Sequence, residues 1–367
     1  MKKIHRIVSI SALLYLCSGC AQLAYYSQAV QGQMAVVAQA KPIERVLAQN
    51  DTDDKLHARL KLVQEIRRFA ITELGLPENG SYKKYADLKR PYVLWNVVVT
   101  PELSLTPEQW CFLVVGCVSY RGYYNKEQAY QFAESMQHKG LDVLVAGVPA
   151  YSTLGWFDDP VLSTFIHYSE VELARLIFHE LAHQVVYIPG DTQFNESFAT
   201  AVEEIGVTRW LNRAASDDQL KKFQSSQKRR QEFLSLLSQY RTKLAENYAS
   251  PDTPSAKRQR KSEIFHSLKA AYSVIKREQW NDDPSYDAWF NQPLSNAHLA
   301  LVSTYFDLVP AFHHLRSKHK NFSAFYQAVR QLSKLEKHKR HSQLAQFTTD
   351  HAVSAQEIAP DGTAALQ

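Results

Sequence analysis

No run of apolar residues in this chain is long enough to cross a bilayer as a helix. The most apolar stretch near the N-terminus, Ile7 to Leu16, has ten residues, where a spanning helix needs about 20. An excess of charge of one sign is also lacking. Lysine and arginine number 42 against 37 acidic residues, a formal net charge of +5 spread along the chain, so no nucleic-acid footprint is readable. Cysteine is confined to positions 17, 20, 111 and 117. What is present is ordinary for a globular protein: 45% hydrophobic and 22% charged residues in a 367-residue chain, room for one large domain or two small ones.

The densest chemistry lies between Ser169 and Trp210. At its centre stands His179-Glu180-Leu181-Ala182-His183. Residues i and i+4 of a helix share a face, so His179 and His183 offer two imidazoles to one point. That is the spacing of a two-histidine zinc clamp, with Glu180 placed as general base for an attacking water. Ser169 followed by Glu172 predicts a capped helix start, and Pro189-Gly190 predicts its stop. The intervening residues are apolar on nearly every face, which predicts burial. Two core histidines satisfied by backbone carbonyls would give the same letters. The next segment argues otherwise. Asn195-Glu196-Ser197-Phe198-Ala199-Thr200 opens a second apolar-periodic helix, and a catalytic zinc wants three protein ligands and an open position. Glu196 is the expected third ligand and Glu203 the alternative. Thr200 and Glu203 are expected otherwise to orient the histidines.

HELAH followed by NESFAT resembles the glutamate-zincin metallopeptidases. GVPAYSTLGWFDDP, ARLIFHELAHQVVY and FNESFATAVE are similar to a family of predicted zinc aminopeptidases found as bacterial lipoproteins, over residues 18 to 335. The resemblance implies a zincin fold, one zinc ion per chain and a peptide substrate.

Lys2, Lys3 and Arg6 before the apolar stretch mark residues 1–19 as a signal segment. Ser18-Gly19-Cys20 resembles the lipoprotein box, which makes Cys20 the lipidation site. An ordinary cleaved signal or an uncleaved anchor is the alternative. With Ala21 next, the expected location is the outer membrane, facing the periplasm. In that oxidising compartment Cys111 and Cys117 are expected to be bridged, contributing roughly 2 kcal/mol; two buried free thiols are the alternative.

The rest predicts an α+β, mostly helical fold, with a small twisted sheet above the HExxH helix and a helical C-terminal half. Residues 20–90 read as an N-terminal helical segment, with Tyr25 and Tyr26 as packing. Residues 91–212 read as the catalytic core, with strands at 92–99, 111–120 and 141–148 around a helix at 125–139. Ala150, Tyr151, Ser152, Thr153, Leu154 and Gly155 are expected to form a substrate-pairing edge strand, or else a connecting loop. Residues 213–348 form a helical subdomain, with the basic runs 228–230 and 257–261 as solvated faces and the histidines at 313, 314, 319, 338 and 341 on the surface. Tyr305, on a helix expected over 296–315, is the candidate oxyanion donor, with a core tyrosine as the alternative. Residues 349–367 are expected to be a disordered tail.

The function expected is that of a lipid-anchored zinc metallopeptidase, an aminopeptidase in which Asp158, Asp159 or Glu203 holds the α-amine. An endopeptidase acting on envelope proteins or cell-wall peptides is one alternative. A non-catalytic lipoprotein with structural zinc is the other, and it leaves Glu180 without a purpose.

Overall fold

The computed structural model describes residues 23–112, 116–213, 217–302 and 308–356. Cys20, the signal segment and Tyr305 lie outside them. The architecture is α+β and mostly helical. Two helices in sequence form its centre: α5 (Glu170–His183) and α6 (Thr192–Arg213). The Oγ of Ser169 accepts from the Glu172 amide and caps α5, while Glu172 reaches Arg175 instead of closing a reciprocal box. The helix ends at His183, well before Pro189-Gly190. The side chain of Gln184, at the C-cap, is held by Asn79 and Ser81, and the chain turns there.

Helix α6 is buried on nearly every side. Gly206 lets it approach its neighbours: a Cβ there would stand 2.7 Å from both Leu74 and Phe178. Phe178 of α5 and Leu74, just beyond α3 (Asp54–Thr72), pack on that face. Phe194 and Phe198 of α6 meet Phe312, Phe325 and Tyr326 of α11 (Val309–Ser317) and α12 (Phe322–Ser333).

A three-stranded antiparallel sheet stands beside this pair. Its order is β6 (Arg121–Tyr123), β3 (Leu94–Pro101), β7 (Leu141–Val148). Trp95, Val97 and Val99 alternate onto one face, against Ala129 and Ala133 of α4 (Lys126–Gln137). Leu94 and Asn96 look the other way, into the cavity described below. The segment expected as one strand over 111–120 is a hairpin, β4 (Trp110–Phe112) against β5 (Gly116–Val118), with Cys111 directly opposite Cys117 and disulfide-bonded to it. A smaller sheet, β1 (Lys41–Pro42), β2 (Lys84–Ala86) and β8 (Val161–Leu162), closes the base. The N-terminal helix α1 spans residues 23–39, and α2 (Ile43–Leu47) and α9 (Asp287–Phe290) are short.

In the C-terminal half, α7 (Asp217–Ala249) and α8 (Pro254–Gln279) pair around a second core of Phe233, Leu237, Leu244, Leu268 and Tyr272. The basic runs are not merely solvated: Arg230 turns inward to Glu203 and Glu204, and Lys261 Nζ sits 2.6 Å from Asp142. The stretch expected as one helix over 296–315 holds α10 (Asn296–Val302) and α11. Helix α13 (Lys337–Gln356) continues past the expected end of order at 349. Among the described residues no helix is long and apolar enough to cross a membrane.

Candidate metal centre

Helical spacing puts His179 and His183 one turn apart on α5, and α6 returns antiparallel to present Glu196 opposite them. The His179 Nε2 lies 3.2 Å from the His183 Nε2, 3.3 Å from one Glu196 oxygen. The other Glu196 oxygen is 3.7 Å from the His183 Nε2. One ligand atom from each residue falls within a 4.8 Å cluster, the one such group among the described residues. The donor set suits a divalent cation. His179 Nδ1 lies 2.9 Å from Glu203, and a proton held there leaves the lone pair on Nε2. Two Nε2 atoms and a carboxylate facing one another at these distances share one positive partner well and repel without one.

Glu203, two turns after Glu196, meets the far nitrogen of His179 and not the cluster. It is also clamped by Arg175 at 2.6 Å and approached by Arg230 at 3.5 Å. Burial would raise its carboxyl, but Arg175 and the His179 bond hold it well below the usual range. Thr200 is buried on the same helix, and no hydrogen bond joins it to either imidazole among the described residues, so it does not orient a histidine as expected. The buried Nδ1 of His183 has no partner.

The turn joining the helices fixes Glu196. The Oδ1 of Asn195 accepts from the Ile188 amide and its Nδ2 donates to the Ile188 carbonyl. Asp191 sits at the start of α6, accepting from the Phe194 amide and gripping Arg340 at 2.6 Å and His341 at 2.9 Å. His341 is therefore not a free surface residue, nor is His313, 2.7 Å from Glu204.

The cluster opens into a cavity of about 740 Å³. Glu180 lines it and makes no ion pair or side-chain hydrogen bond among the described residues. Burial pushes its carboxyl up to about 7; His179 opposes that shift and Glu196 adds to it. The opposite wall is Leu94 and Asn96 of β3, Gly122 of β6 and Val148 of β7, with Tyr25 and Tyr26 of α1 and Phe112, Val118 and Tyr120 of the hairpin. Gly116, at φ +75°, brings the hairpin against Pro189 and Gly190, the turn between α5 and α6, so it bridges the cleft from sheet to helices.

Ala150, Tyr151, Ser152 and Leu154 line the cavity, but residues 150–155 are a loop and not a strand. The amide of Thr153 is tied to Asp159 at 3.0 Å, its hydroxyl and the Phe157 backbone bond each other, and Leu154 takes φ +56°. Such a fold-back cannot pair along its length with an extended chain. Thr153 and Gly155 do not face the cavity. The three carboxylates expected to hold an amine do not reach it either. Asp159 is buried under Thr153, Asp158 pairs with Lys84 at 3.7 Å, and Glu203 lies behind His179. Tyr25 and Tyr26, expected as packing, line the cavity, as do three tyrosines passed over in the sequence, Tyr120, Tyr124 and Tyr187. Only Tyr187 was signalled, four residues after His183, whose ring it meets edge-on at 6.3 Å.

No curated protein and no solved structure is significantly similar to the chain. A family model described as "Putative aminopeptidase" matches residues 24–344. That span runs from the helix facing the cleft to the helix that grips Asp191, and the chain belongs to this family.

Proposed function

We propose that this protein is a zinc metallopeptidase of zincin type that removes residues from the free amino end of peptides. The observation that carries the reading is the convergence of His179 Nε2, His183 Nε2 and Glu196 beside an unpaired Glu180 at the inner end of a cavity. Zinc held by those three residues would supply Lewis acidity, polarising a peptide carbonyl and acidifying a water. Glu180 takes a proton from the attacking water and returns it to the leaving amine. Its carboxyl, raised toward neutrality, is matched to both transfers. Glu203 and Arg175 hold the His179 ring in one tautomer and one orientation. A tyrosine hydroxyl meets the oxygen that gains charge. The sequence points to Tyr305; Tyr120 and Tyr187 line the cavity, and burial keeps both phenols protonated as donors.

Two features favour the free amino end over other ends and internal bonds. The described cavity lining contains no lysine or arginine, and its carboxylates are Glu180 and Glu196. An α-ammonium group entering it meets carboxylates and tyrosine faces, whereas a C-terminal carboxylate finds no lysine or arginine side chain to pair with away from the metal ligands. We further propose that Cys20 carries lipid and anchors the protein to the envelope, in the outer membrane facing the periplasm.

The test is hydrolysis of one peptide in free and N-acetylated form. Loss of turnover on acetylation, abolition by a chelator and restoration by zinc are expected. Equal cleavage of both forms at internal bonds would make the protein an endopeptidase.

A further inference from the structure

We propose that the part of the cavity walled by Tyr25, Tyr26 and Phe112 receives a substrate side chain and selects a large apolar one, aromatic above all; this rests on the peptidase reading. The three rings come from elements nearly ninety residues apart, α1 and β4, and meet only through the fold. Tyr25 and Phe112 stack at 5.5 Å, and Tyr26 stands edge-on to both at 5.9 and 6.2 Å. Neither Tyr26 nor Phe112 is buried in the core; each shows ring surface to the cavity.

The wall is held rigidly. Arg121 lies 4.0 Å over the Tyr25 ring, and the Cys111–Cys117 bridge clips the strand that carries Phe112. Gln28 of α1 donates to the Gly122 carbonyl and accepts from the Tyr124 amide, tying α1 to β6. Rings fixed before the ligand arrives cost no ordering on binding.

Charge selects in the same direction. A carboxylate side chain on the substrate would shed its hydration here and find no lysine or arginine among the lining residues, because the Arg121 guanidinium is held against aromatic rings. The floor supplies one polar group. Asn96 lines the cavity with its Oδ1 buried and unpartnered, and opposite it Gly122 has no side chain to cover it: a Cβ there would come within 3.3 Å of that oxygen.

The experiment compares Phe-Ala-Ala, Ala-Ala-Ala, Asp-Ala-Ala and Lys-Ala-Ala as substrates of the full chain, and measures their binding by calorimetry. We expect Phe first and Asp last. In Tyr26→Ala and in Phe112→Ala the ratio of kcat/KM for Phe over Ala should fall roughly tenfold, the loss of a ring contact and its buried area, with zinc content unchanged. Tyr26→Phe should keep the ratio. An unchanged ratio in both alanine variants, or a preference for Asp or Lys, would overturn the subsite. If the wild type cleaves none of the four peptides, the peptidase reading fails separately. Calorimetry then decides the subsite alone: weaker binding of the Phe peptide to Tyr26→Ala supports it, and equal binding refutes it.

Discussion

His179 is held from two sides, by Glu196 near one ring nitrogen and by Glu203 at the other. Glu203 is in turn held by Arg175 at 2.6 Å. Removing Arg175 frees Glu203 to rotate or take up a proton, and the ring loses its fixed tautomer. We predict that Arg175→Met and Glu203→Gln each weaken zinc binding by about 10- to 100-fold, read by competition with a chromogenic chelator. Affinity equal to wild type in both would mean that the pair merely packs. The pairing of His179 with His183 is legible in the sequence because a helix converts i, i+4 spacing into a shared face without further information; Glu196 was read from the segment that opens the next helix. The orienting role of Glu203 was one of three readings, and only its contact with His179 Nδ1 instead of Nε2 separates it from ligation. Asp158 and Asp159 misled for the opposite reason. Their position depends on how one loop folds back, and the bond between Thr153 and Asp159 is not a periodic signal.

Helix α6 carries Glu196, and its start is fixed by buried charge. Asp191 is 1% exposed and Arg340 3%. Burial alone would raise the Asp191 carboxyl, but hydrogen bonds from Arg340 and His341 outweigh it and hold the group below the usual carboxylate range. Its native pKa is therefore lower than its unfolded value of about 3.9. The stabilisation is complete above that value and is lost as pH falls through the native one. We predict that Arg340→Met costs roughly 3–5 kcal/mol, since it leaves a buried carboxylate without its main partner. Asp191→Asn should lose less of its remaining stability between pH 5 and pH 2 than wild type does. Denaturant melts across that range check both, and identical acid sensitivity in wild type and Asp191→Asn would contradict the assignment. For the β4–β5 hairpin, reduction of Cys111–Cys117 should lower stability by about 2 kcal/mol; no change in the midpoint would mean that the bridge constrains nothing. The helix starts at Ser169 and Asn125 were readable because a side-chain cap is local. The end of α5 was not, because Gln184 is held by Asn79 and Ser81, more than a hundred residues away.

At the scale of the whole molecule the cleft is a meeting of distant segments. Residues of α1, three strands, a disulfide-bonded hairpin, a folded loop and two helices face one volume, from Tyr25 to Glu196. Composition and periodicity predicted an α+β, mostly helical chain, since each element is local. They gave Tyr25 and Tyr26 as packing, since nothing local shows that α1 lies against β6. We predict that Cys20→Ser moves the protein from the membrane to the soluble fraction. Retention in the membrane would point to an uncleaved anchor. The central claim is that His179, His183 and Glu196 hold the metal while Glu180 moves the proton. The most direct test is Glu180→Gln, with zinc content and peptide hydrolysis measured on one preparation. The account predicts one zinc per chain, as in wild type, with turnover reduced by several orders of magnitude. Zinc-replete Glu180→Gln protein that still hydrolyses peptides at a rate near wild type would contradict it.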